Sequence, residues 1–414
     1  MIEWSEQHEA MRGAFRKFVE AEIKPNLEEL EHGDTPPYDV LRKMFETFGI
    51  GAMQVDRFQR QLERDKAKAN GSASEETKKE SRKVSSEAAA DAAAMQLIPI
   101  IELCRYCPGM ITAMGVSVAL TAGAIRSKGT IAQKEKFVPP LLTMDKVGAW
   151  AITEPGSGSD AFGSMKSTAK RDGDDYVLNG SKTFITNGPY ADTIVFICKL
   201  DEGNDPRERK VLSFILDKGT PGLTQSKPLR KMGLHSSPTG ELFLEDVRVG
   251  RERLIGETEA QPARSGAKDT FSTERIGVVA MALGIVERCR ELSVEYARTR
   301  VQFGKPIGEF QLIQAKLAEM EVARMNLQNI VFQQIERAAM GKGFTLAEAS
   351  AGKLYAARAA MNVALEGVQL FGGNGYMAEF QVEQLARDAK VLQIYAGTDE
   401  IQISQIARSM LGDA

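Results

Sequence analysis

Between Gly148 and about Gly256 the chain changes its hydrophobic period, and that change constrains its architecture more than any single motif. Before it, Phe15, Phe18, Val19 and Ile23 recur at three- and four-residue spacing, which puts them on one face of a helix. Within it, Tyr176–Leu178, Thr183–Thr186, Thr193–Ile197 and Val211–Leu216 are short runs rich in β-branched and aromatic residues. Asp172-Gly173, Asn179-Gly180, Asn187-Gly188 and Pro221-Gly222 offer turns between them. After about Thr258 the helical spacing returns. Ile313, Leu317, Met320, Leu327 and Val331 share one face of a long helix, and an Ala-rich helix from about Leu346 to Leu370 is expected to be buried on several sides. The reading is mainly α with a central β domain. Helices occupy 1–147, a small antiparallel β barrel or sandwich 148–258, and a four-helix bundle 259–414.

A length of 414 residues exceeds one core and predicts two to three domains. The net charge of −3 gives neither a basic nor an acidic field, so no nucleic acid is expected as a partner. Cys104, Cys107, Cys198 and Cys289 are too few for a disulfide framework, which predicts a reducing, cytoplasmic setting. The amino terminus reads as an acidic helix, not a leader. Cys104 and Cys107 lack a second pair, and His8, His32 and His235 are scattered. A structural zinc takes about four ligands, so no metal is expected. The uncharged run Pro108–Ile125 is rich in Gly, Ala, Ser and Thr and falls short of a span of roughly 20 strongly apolar residues. It reads as a buried helix rather than a membrane span. Pro139-Pro140 is expected to stop the helix that contains Lys134. From Arg57 to Ala94 the composition is charged and Ala-rich with no apolar face. That predicts a flexible, solvated insertion or, alternatively, a charged helical hairpin that touches a partner.

Three segments carry candidate chemistry. Trp150-Ala-Ile-Thr-Glu-Pro-Gly-Ser-Gly-Ser159 places glycines at alternate positions beside Thr and Ser hydroxyls, which suits either a close approach to a ligand or a plain connecting loop. It lacks the strand–turn–helix setting of a dinucleotide fingerprint. Arg300-Val-Gln-Phe-Gly-Lys-Pro306 links two helices through a Gly-Lys-Pro turn. Near the end, Gln369-Leu-Phe-Gly-Gly-Asn-Gly-Tyr376, Arg387-Asp-Ala-Lys390 and Ile394-Tyr-Ala-Gly-Thr-Asp-Glu400 follow one another closely.

Taken with Thr153–Asp160, these motifs resemble the flavin-dependent acyl-CoA dehydrogenase family over everything but the insertion. The resemblance implies the acyl-CoA dehydrogenase fold, FAD as cofactor and an acyl-CoA as substrate. It also implies an electron-transferring flavoprotein as acceptor and a homotetramer that shares FAD across a subunit interface. Trp150, Ile152, Thr153, Ser159, Phe184 and Thr186 would line the flavin, with Phe184 where many members carry Trp. Arg300, Gln302, Phe303 and Gln311 would reach the pyrophosphate and adenosine of a neighbouring subunit's FAD, opposite Gln369, Gly372 and Gly373. Thr398 and Glu400 would complete the cofactor set. Ser159, Ser272, Arg275 and Gly397 would contact substrate.

One departure decides the chemistry. Many members carry a glutamate where this chain has Ala396, whereas the isovaleryl-CoA and long-chain branches take the base from the position of Glu274. The resemblance therefore implies that Glu274 removes the α proton and that the Ala396 backbone N–H polarises the thioester carbonyl. As a glutamate in the first turn of its helix, Glu274 could equally serve the helix dipole or pair with Arg275. The alternatives in function are a same-fold acyl-CoA oxidase, desulfinase or monooxygenase, or a non-catalytic acyl-CoA or flavin scaffold.

Overall fold

A computed structural model describes residues 3–69, 86–260 and 263–412. The amino-terminal helices are α1 (Glu6–Phe18), α2 (Leu27–His32), α3 (Tyr38–Thr47), α4 (Ile50–Ala69), α5 (Ser86–Leu103), α6 (Pro108–Gly115), α7 (Ala122–Lys128) and α8 (Ile131–Leu142). Phe15, Phe18, Val19 and Ile23 are all buried, as their spacing requires. Ser5 opens α1 and Thr130 opens α8, each with a reciprocal capping box that satisfies orphan amides.

The segment 57–94 departs from its expected form. Its described parts, 57–69 and 86–94, are helical. Phe58 and Leu62, one turn apart, bury themselves against Phe137, Val138 and Leu141 of α8, and Ala94 starts a buried stripe with Ile98 and Ile101. Lys134 pairs with Asp65 at 2.7 Å across the same seam. The apolar face exists, but it is thin and diluted by charge. The helix α8 runs two residues past Pro139-Pro140, so the prolines sit in its last turns instead of ending it. A π-helical stretch, Val116–Thr121, joins α6 to α7 into one 21-residue rod. That rod is long and apolar enough to cross a membrane by length and composition, contrary to the expectation, and 56% of its most apolar window is buried inside the protein.

The central sheet has seven strands: β1 (Gly148–Ala151), β2 (Thr168–Asp172), β3 (Asp175–Thr186), β4 (Thr193–Leu200), β5 (Val211–Asp217), β6 (Leu223–Gln225) and β7 (Thr239–Val249). It is mixed rather than purely antiparallel, because β1 and β2 both pair with β4 in parallel. Asn179-Gly180 is no turn. It lies inside the twelve-residue β3, where the register against β7 slips by one residue. Gly180 has φ 149° there, and a Cβ would lie 2.3 Å from the Ser167 hydroxyl, so the slip requires glycine. Every residue of β4 is buried, which places it at the centre of the sheet.

The carboxy-terminal bundle contains α9 (Ala263–Thr299), α10 (Gln311–Ala339), α11 (Leu346–Phe371), α12 (Val382–Val391) and α13 (Asp399–Leu411). A two-stranded hairpin, β8 (Val301–Gln302) and β9 (Lys305–Pro306), joins α9 to α10. Alanines 349, 356, 357, 359, 360 and 364 are buried along α11, as its composition predicts. At Gly284 of α9 a Cβ would lie 2.2 Å from the Ile101 carbonyl, so α5 and α9 cross in backbone contact.

The loop after β1 is fastened from below by a buried ion pair. Lys182 of β3 is fully buried and donates to Glu154 at 2.9 Å and to the Ile152 carbonyl at 3.0 Å. Glu154 also accepts from the Lys166 and Ser167 amides, at 2.6 and 2.9 Å. Removing one partner strands the other charge away from water. Lys182→Met is expected to lower unfolding stability by about 3–5 kcal/mol, and Lys182→Met/Glu154→Gln by less, as measured by urea titration.

Candidate active site

The Glu274 position sits about three turns into α9, eleven residues after Ala263, so the helix-dipole reading does not apply. Its carboxyl is half-buried, and burial pushes its pKa up to about 7 while Arg275 and Lys353 pull it back. Both cations are otherwise engaged. Arg275 donates to the Ser350 hydroxyl at 2.9 Å and to the Ala396 carbonyl at 3.4 Å. Lys353, fully buried on α11, donates to the Gly397 carbonyl at 2.8 Å and lies 3.8 Å from Asp399. Gln402 of α13 donates to both carbonyls, at 2.9 and 2.8 Å.

These donors hold the turn between α12 and α13 in a rare shape. Ala396 has φ 52° and Gly397 has φ 88°. With two carbonyls drawn inward, the N–H groups of Ala396, Gly397 and Thr398 make no hydrogen bond among the described residues. Successive free amides of this kind form an anion-accepting concavity. Glu274, Arg275, Ala396, Gly397 and Thr398 are therefore brought together, with Glu400 exposed at the start of α13. Ser272 lies outside the residues whose side chains are described.

The second group gathers on the β domain. Thr183 N–H donates to the Thr153 carbonyl at 3.0 Å, which joins the loop after β1 to β3. Trp150, Thr153 and Thr186 are half-buried, Ile152 is buried and Ser159 is exposed. Phe184 is a large ring left 69% exposed on a left-handed backbone, φ 57°. The two groups are linked through Asn187, which follows Thr186. Its amide donates to the Ala113 and Gly148 carbonyls at 2.8 Å each and accepts from the Tyr38 hydroxyl at 3.0 Å. Next to Ala113, the Thr112 hydroxyl meets that of Tyr395, beside Ala396.

The third group stands apart. Arg300, Gln302, Phe303 and Gln311 are exposed around the hairpin, and Phe303 is 95% exposed with φ 53°. Gln369, Gly372 and Gly373 end α11 at the same end of the bundle. A small core of Ala297, Ile307, Leu370, Phe371 and Val382 fixes both, with Tyr296 stacked on Phe371 at 4.0 Å. The rise of α9 over the 25 residues from Glu274 to Thr299 is about 38 Å. Of eight non-glycine residues with positive φ among the described residues, Phe184, Phe303 and Ala396 belong one to each group.

Sequence reasoning missed Lys353, Gln402 and the Lys182–Glu154 pair. A lone lysine in an Ala-rich buried helix was the available signal, since buried lysines need a partner.

The comparisons with known proteins bear on all three parts of the chain. Residues 5–58 and 86–145 match the acyl-CoA dehydrogenase N-terminal domain, 149–247 the middle domain, and 265–411 the C-terminal domain. A short-chain specific acyl-CoA dehydrogenase of Megasphaera elsdenii is 42% identical over 76% of this chain and 81% of its own. The structure of butyryl-CoA dehydrogenase from Megasphaera elsdenii superimposes with a TM-score of 0.83 at 33% identity, covering 99% of this chain and 100% of that one. A glutaryl-CoA dehydrogenase from Mycobacterium smegmatis, in complex with FADH2, gives 0.83 at 26% identity over 99% and 95% of the two chains. The N-terminal match leaves 59–85 uncovered, within the segment 57–94 expected to be an insertion. In sequence and in all three domains, the chain belongs to the acyl-CoA dehydrogenase family.

Proposed function

We propose that this enzyme desaturates a saturated acyl-CoA to its trans-2-enoyl thioester with Glu274 as the base. The observation that carries the reading is a half-buried carboxyl, raised to about 7, beside a turn whose amides make no hydrogen bond among the described residues. Glu274 takes the α hydrogen as a proton and becomes a carboxylic acid. A pKa near neutral leaves it ionised for the task yet basic enough to accept. The Ala396 N–H donates to the thioester carbonyl and steadies the charge that gathers there. The chemistry that a bound FAD would supply is a hydride acceptor for the β hydrogen, so that two C–H bonds would break and one carbon–carbon double bond would form. Ala396 cannot itself act as the base, which leaves Glu274 in the role that the isovaleryl-CoA and long-chain branches give it.

The fit to FAD rests on two features of this chain. Phe184, two residues before Thr186 on β3, offers an exposed ring suited to stacking on a flat heterocycle. Arg300 offers a planar fork suited to a pyrophosphate. The separation of about 38 Å along α9 exceeds an extended dinucleotide, so the hairpin serves a neighbouring subunit's cofactor, as in a homotetramer. Ser159 and Gly397 border the thioester side, and an electron-transferring flavoprotein removes the electrons in the cytoplasm.

Anaerobic titration of the yellow protein with short, branched, medium and long acyl-CoAs, followed by flavin absorbance, tests the activity. Glu274→Gln is expected to keep FAD and ligand but to slow bleaching by about 100-fold or more. Reduction at the wild-type rate would refute the assignment, and an added Ala396→Glu is expected to restore part of the rate. In the wild type the rate rises with pH through about 7, because only the carboxylate accepts a proton. Arg300→Ala is expected to weaken FAD retention about tenfold or more, read by dialysis, while leaving the monomer's fold intact by circular dichroism.

A further inference from the structure

Lys353 is the least expected charge in the bundle. It lies on α11 among buried alanines, fully out of water, and its ammonium reaches the Gly397 carbonyl at 2.8 Å. Asp399 stands 3.8 Å away, and its other oxygen is held by Arg358 at 3.1 Å. The Asp399 oxygen facing Lys353 has no hydrogen-bond partner among the described residues. A buried ammonium is costly to keep there, and an apolar side chain would fill an Ala-rich helix at lower cost. What the lysine adds is one donor to the turn and one positive charge at the carbonyl next to the one that Arg275, the neighbour of Glu274, holds.

We propose that Lys353 is a positioning residue for α-proton removal, holding the Ala396–Thr398 turn by its Gly397 carbonyl and steadying Glu274 in its ionised form. The inference rests on Glu274 being the base. The groups around that carboxyl come from three elements: Arg275 from α9, Lys353 from α11, and Tyr395 from the turn. Behind Lys353 stand Asp399 and Glu400 of α13, and behind Tyr395 stand Asp388 and Cys104. Among these only Arg275 and Lys353 pull the Glu274 carboxyl toward ionisation. Burial lowers the Lys353 ammonium to about 8, with Asp399 opposing, so its charge is lost just above the range in which Glu274 titrates.

The pH dependence separates this role from simple packing. Single-turnover reduction of the holoenzyme by butyryl-CoA is expected to rise through about 7 and fall again above about 8. In Lys353→Met the rising limb moves up by about one pH unit and the falling limb disappears. Lys353→Arg keeps the rising limb in place and also removes the falling one, because a guanidinium stays charged. Asp399→Asn brings the falling limb to lower pH, and it carries the test if Lys353→Met does not fold. Independently of turnover, calorimetric affinity for crotonyl-CoA drops about tenfold in Lys353→Met as the turn loosens. A Lys353→Met enzyme with both limbs and the crotonyl-CoA affinity of the wild type would overturn the proposal. If Glu274→Gln is inactive in that case, the base assignment stands and only the role of Lys353 falls.

Discussion

Two carbonyls, of Ala396 and Gly397, point into a cradle made by Arg275, Lys353 and Gln402. Much of the bundle is arranged around that contact. The donors come from α9, α11 and α13, so three helices must keep their relative rotation for the turn to keep its left-handed backbone. A peptide whose oxygen faces inward presents its N–H the other way, and the cradle thereby turns the Gly397 and Thr398 N–H groups outward without touching them. The same cations that hold the turn also bear on Glu274, so orientation and basicity share one set of groups.

A comparable economy holds the β domain. Lys182 and Glu154 neutralise each other beneath the loop after β1 and fix the Ile152 carbonyl as they do so. The charge pair is a weak contributor to net stability compared with an apolar pair, yet breaking half of it is expensive. It fixes one conformation for a loop whose alternate glycines would otherwise permit many. Asn187 then ties the end of β3 to the rod that begins at Pro108.

The three-part architecture was legible because period is a property of the burial pattern, and burial follows it in α1 and along Met320, Leu327 and Val331 of α10. The misreadings have local causes. Asn179-Gly180 has turn chemistry, but β7 supplies a partner along its whole length, so the pair is absorbed as a register slip. Pro139 and Pro140 each forgo a helical amide, yet α8 continues two residues beyond them. In 57–69 an apolar face of two residues was hidden among charges, and it exists only because α8 is there to receive it. The Glu274 position was singled out from its neighbours in sequence. Its partner Lys353, 79 positions on, was not, since contacts between helices far apart in the chain leave no spacing rule to read.

The helix α9 carries the Glu274 carboxyl near one end and the hairpin of Arg300 and Phe303 at the other, with no break in its 37 residues. Each residue of an α-helix advances the chain by about 1.5 Å and turns it by about 100°. A single residue gained or lost between these ends would swing the hairpin more than a quarter-turn away from its present bearing. The number of residues between the two ends is therefore fixed as firmly as the identity of any side chain that α9 buries.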